Sequence, residues 1–66
     1  MQISVNGQVR QLPCEITIAE LLKDLNLDPR TLAVERNLQL VPRAQHGMVQ
    51  LVEGDKIEVV TLVGGG

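Results

Sequence analysis

At 66 residues with a formal net charge of −2, the chain has room for one small domain and none for a second. It contains no Phe, Tyr or Trp, so it offers neither a stacking platform for bases nor an excess of cations for phosphates, which argues against nucleic acid as a partner. A single cysteine and a single histidine exclude an intrachain disulfide and a cluster of metal ligands, leaving aliphatic packing to supply the stability.

The chain opens on Met1-Gln2-Ile3-Ser4-Val5-Asn6-Gly7, which has no basic segment followed by an apolar run. No stretch anywhere approaches the roughly 20 apolar residues that span a bilayer. A cytoplasmic protein without membrane contact is the expectation. Ile3 and Val5 alternate with polar neighbours, and Asn6-Gly7 marks a hairpin turn before a second strand over Gln8 to Leu12. A two-residue loop would set Ile3 opposite Arg10, whereas a three-residue loop would set it opposite Val9. The second is favoured, on the argument that one buried face decides register. Pro13 and Cys14 end the strand. With no His or basic residue beside it to activate its thiol, Cys14 reads as a small buried apolar residue.

Thr17 followed three residues later by Glu20 has the spacing of a capping box, and Ile18, Leu21, Leu22 and Leu25 form one helical stripe. Glu20, Lys23 and Asp24 face water. Asn26 suits the left-handed closing position, and Pro29 prevents simple continuation. From Thr31 the period returns to two, placing Leu32 and Val34 on one side and Ala33 and Glu35 on the other as far as Arg36-Asn37. Leu38-Gln39-Leu40 turns into a short piece at Val41, which Pro42 marks as an edge. Ala44 to Gly47 reads as loop, with His46 solvated. Met48 to Val52 is a weak extended segment, and Glu53-Gly54-Asp55 a turn whose acids, with Glu58, read as wet surface, with steering of basic partners toward the tail as the alternative.

The last strand, Lys56 to Val63, differs from the others. Ile57, Val59, Thr61 and Val63 share one face, yet Val60 and Leu62 place apolar groups on the other. One helix covers only one side of one sheet, so Val60 and Leu62 should be uncovered and form a docking patch. Val63-Gly64-Gly65-Gly66 then follows as a flexible tail of residues 63–66 on a domain of residues 1–62. Three glycines pack nothing and carry no side-chain chemistry. Fully extended, those four residues reach roughly 13 Å, enough to carry a carboxylate into another protein's active site. No nucleophile with a base, no paired acids and no phosphate loop is present, so the chain is not expected to be an enzyme.

That order of elements resembles the ubiquitin-like β-grasp fold. Within it the chain resembles the ThiS family, the sulfur carriers of bacterial thiamin biosynthesis. The likeness rests on Met1 to Gly7 closing with Val-Asn-Gly, Thr17-Ile18-Ala19-Glu20-Leu21-Leu22, Ala33-Val34-Glu35-Arg36-Asn37, Val41-Pro42-Arg43, and Glu53-Gly54-Asp55-Lys56-Ile57-Glu58 before the glycines. It implies an α+β protein with a mixed sheet of four to five strands and one main helix packed on one face. It also implies that the protein is the carried substrate, with no cofactor bound. A ubiquitin-activating-like enzyme adenylates the Gly66 carboxylate with ATP, and sulfur from a cysteine desulfurase or related donor converts it to a thiocarboxylate, a C-terminal 1-thioglycine. Thiazole synthase then takes the sulfur. Gly64 and Gly65 would be bound by the partners together with Val60 and Leu62. The small subunit of molybdopterin synthase and ubiquitin-like modifiers share this ending and are alternatives. A β-grasp interaction module with an inert tail is an alternative of a different class. An iron–sulfur relative is excluded, since such clusters need four Cys ligands and one is present.

Overall fold

The computed structural model describes residues 1–62. Expectations that fall on Val63, Gly64, Gly65 and Gly66 lie outside the described residues. Five strands, β1 (Gln2–Val5), β2 (Gln8–Gln11), β3 (Leu32–Arg36), β4 (Gln39–Val41) and β5 (Lys56–Thr61), form one sheet in the order β2-β1-β5-β3-β4. β1 and β5 run parallel and the other neighbours antiparallel.

The helix α1 (Ile18–Asp24) begins where the sequence marks it. Glu20 N–H donates to Thr17 Oγ1 at 3.1 Å, and Thr17 N–H donates to Glu20 Oε1 at 2.8 Å, so two otherwise unpaired amides are satisfied reciprocally. Asn26, at φ 59°, takes the left-handed position that closes the helix. Ile18, Leu21 and Leu22 are fully buried against Ile3, Val5, Val34 and Ile57 from the sheet and Leu51 from the segment before β5, all aliphatic.

Two short 3-10 turns, Pro29–Thr31 and Arg43–Gln45, flank β3 and β4. The second replaces the loop expected at Ala44 to Gly47. Pro42 leads into it with φ −58°, a value its ring fixes, and the amides of Gln45 and His46 reach back to the carbonyls of Pro42 and Arg43.

The hairpin register differs from expectation. Ile3 lies opposite Arg10, and Ser4 opposite Val9. Asn6 and Gly7 have φ of 50° and 81°, both left-handed, the requirement of a two-residue hairpin turn whose twist matches the strands. Burial could not choose the register, because every residue of β2 is exposed at the sheet's edge, Val9 included. The turn chemistry chose instead.

A second tight turn, Asn37-Leu38, joins β3 to β4 with φ of 51° and 72°. Leu38 is 86% exposed, so no burial offsets its left-handed backbone. Leu38→Gly is expected to raise the unfolding free energy by about 0.5–1 kcal/mol in urea titration, relief of strain outweighing the greater freedom of the unfolded glycine.

Candidate functional site

β5 lies at the centre of the sheet and carries Val60, with Leu62 just beyond its end, so what holds β5 positions this candidate pair. On one side β3 pairs with it from Leu32↔Thr61 to Arg36↔Ile57, and Leu62 N–H adds a bond to Thr31 O at 2.8 Å. On the other side β1 pairs only at Ser4↔Lys56 and Val5↔Ile57. Beyond β1 the Asn6 side chain continues the ladder. Val59 N–H donates to Asn6 Oδ1 at 2.7 Å, and Asn6 Nδ2 donates to Val59 O at 3.3 Å. The residue that makes the hairpin turn thus also fixes the strand one position before Val60.

The foot of β5 is held by a buried carboxylate. Asp55 is 3% exposed. Its Oδ2 accepts from Arg36 Nε and from Val52 N–H, each at 2.9 Å, and its Oδ1 accepts from Asn37 Nδ2 at 3.1 Å. Burial pushes the Asp55 carboxyl up, but the bonds from the Val52 amide, Arg36 and Asn37 outweigh it and hold the group below its ordinary value. Asn37 Oδ1 in turn accepts from Lys56 N–H at 2.9 Å. The expectation of a wet acid at Asp55 is corrected: it knits the ends of β3 and β5 together.

The helix covers the face carrying Ile57, and the opposite face is open. Val60 and Leu62 are 53% and 57% exposed, as expected. In register they stand beside Ala33 of β3 and, one strand further, the exposed Leu40 of β4, with Glu35 and Glu58 among them. This is an apolar strip broken by two carboxylates. The signal in the sequence for Leu40 is its alternation with buried Val41 on an edge strand.

Behind the sheet, His46 is buried rather than solvated, a second correction. Nε2 lies 3.1 Å from the Val41 carbonyl, which can only accept, so Nε2 carries the proton. Nδ1 is buried with no partner among the described residues. The polar sequence neighbours Gln45 and Gly47 gave no hint of this, because the burial comes from Val41 and α1. His46 lines an open recess of about 400 Å³ with Leu22, Leu27, Lys23 and Arg43, on the far side from Val60. Cys14 is exposed, against expectation, in the linker between β2 and α1. Neither residue meets Val60 or Leu62. Gly64, Gly65 and Gly66 lie outside the described residues. Among the described residues no three His, Cys, Asp or Glu side chains gather as a metal site, and no helix is long and apolar enough to cross a membrane.

The model of the ThiS family matches residues 3–66. The chain belongs to the ThiS family. The sulfur carrier protein ThiS of Escherichia coli K12 is 35% identical over 66 residues, the whole of both chains. A crystal structure of the ThiS protein of Geobacter metallireducens superposes with a TM-score of 0.87 at 26% identity, covering 100% of each chain. The five-stranded mixed sheet with its single helix is thus the ubiquitin-like β-grasp that the sequence resembled. A protein of Paramagnetospirillum magneticum named thiazole synthase is 41% identical over 66 residues, all of this chain and 20% of that protein. The chain therefore spans about a fifth of the length of that relative.

Proposed function

We propose that the chain is a sulfur carrier for thiazole formation in thiamin biosynthesis, and that the acyl group of Gly66 is the part that reacts. The observation that carries this reading is the family match, which runs through residue 66 and so takes in the glycines along with the globular body. A carboxylate is a poor electrophile. Its oxygen must first attack the α-phosphate of ATP, releasing pyrophosphate and leaving an acyl-adenylate from which a sulfur nucleophile can displace AMP. Gly65 and Gly66 put no Cβ beside that carbonyl. The body contributes recognition: Val60 and Leu62, with Ala33 and Leu40, form the surface on which the adenylating enzyme and thiazole synthase dock.

Incubation with a ubiquitin-activating-like enzyme, ATP, a cysteine desulfurase with its substrate and a thiol reductant tests the chemistry. The outer persulfide sulfur displaces AMP, and the thiol reduces the resulting acyl persulfide to the thiocarboxylate. The expected result is a mass gain of one sulfur in place of one oxygen, located by fragmentation at Gly66 as 1-thioglycine. Absence of the gain, or its location at exposed Cys14, overturns the reading.

A further inference from the structure

We infer that Glu35 and Glu58 together form a receptor for a guanidinium group on the thiazole synthase that covers the open face of the sheet. This rests on the docking role proposed for that face. Glu35 of β3 stands directly opposite Glu58 of β5, a relation that brings Cβ atoms to within about 5 Å and makes like charges repel. The fold supplies no relief. The ion pairs among the described residues are Asp28 with Arg30 and Arg36 with Asp55, so neither glutamate is in a salt bridge, not even with Lys56 two residues before Glu58. Apolar groups flank the two glutamates, with Leu40 beside Glu35, Val60 two residues beyond Glu58 and Ala33 opposite Val60, while Lys56 stands on the same face. Two adjacent carboxylates in an exposed apolar strip weaken the isolated domain and complement one kind of group.

An arginine matches them. Its planar fork has donors enough for both carboxylates, stays charged when desolvated, and lets its stem lie on Val60 and Leu40. Under a partner's surface the repulsion becomes a pair of charge-assisted hydrogen bonds. A second copy docked face to face would bring four carboxylates together, and nucleic acid would bring more negative charge, so the acids select against both.

The test is calorimetric titration of thiazole synthase from the same organism with wild type, the double variant Glu35→Gln/Glu58→Gln, and Val60→Ala, at about 50 and 500 mM salt. The double variant is expected to bind about ten-fold more weakly at low salt, with the gap narrowing at high salt. Val60→Ala should bind more weakly by a similar factor at both. Free of partner, the double variant should melt about 1–3 °C higher than wild type. Wild-type affinity in the glutamine variant with weakened binding in Val60→Ala overturns the guanidinium receptor and leaves the docking face standing. Undiminished binding in both variants, or no binding of wild type, sinks the docking face and the receptor with it.

Discussion

Asp55→Ala is expected to lower the unfolding free energy by about 2–4 kcal/mol, a drop in melting temperature of roughly 10–25 °C for a domain of this size. The removed carboxylate accepts from Arg36, Asn37 and the Val52 amide. Deleting it strands three donors at once, one of them a charge whose side chain is only 31% exposed. A stranded donor costs more than its bond contributed. Asp55→Asn keeps the shape and part of the accepting capacity but not the charge, so about half the loss is expected. The pH dependence separates charge from shape. Because the folded state holds the Asp55 carboxyl below its ordinary value of 3.8, its contribution is fully present above that value. It is lost as pH falls through the lower folded value. Wild type should therefore lose stability on acidification below about pH 4, more steeply than either variant. Urea titrations at pH 7 and at pH 3 measure both effects. Equal acid sensitivity in all three proteins would show that the Arg36–Asp55 pair contributes nothing.

How far the sequence speaks follows from where the information sits. Thr17 and Glu20 lie three residues apart and cap α1 by local contact, and the Ile18, Leu21, Leu22 stripe needs only helix geometry to face inward, so both are legible in the chain. Leu32 and Val34 are legible for the same reason, with period two in place of 3.6. The open face was legible by elimination, since one helix cannot cover two sides, and Val60 and Leu62 are exposed on it. The misreadings were of another kind. Asp55 looks like a turn acid until Arg36, 19 residues away, is folded against it. His46 looks wet until Val41 and α1 enclose it. In the first hairpin β2 has no buried face for register to follow, so the backbone demands of Asn6-Gly7 decide it. Cys14 erred the same way: its type favours burial, but its place in the linker leaves it open. Local periodicity was reliable wherever the element had a covered side, and type-based priors failed where burial or exposure was set by residues distant in sequence.

Gly65→Val is expected to lower the rate of thiocarboxylate formation at Gly66 by about 100-fold while leaving the fold unchanged. The argument is steric and concerns the acyl carbon. The adenylating enzyme must bring the Gly66 carboxylate in line with the α-phosphate of ATP and then present the same carbonyl to a sulfur nucleophile. A β-branched side chain one residue away stiffens the backbone and occupies space that the approaching groups need. Among the described residues the buried aliphatic cluster runs from Ile3 to Ile57, so the melting temperature is expected to match wild type. Gly64→Ala, two residues from the acyl group and smaller, should slow the reaction only a few-fold. The gradient from 64 to 65 is what distinguishes a reactive acyl end from a tail that serves only as a spacer. The rate of sulfur-for-oxygen mass gain with enzyme, ATP and donor in excess measures it. If Gly65→Val gained sulfur as fast as wild type, the unhindered carbonyl would not be what Gly65 provides, and the glycines would serve only as a spacer.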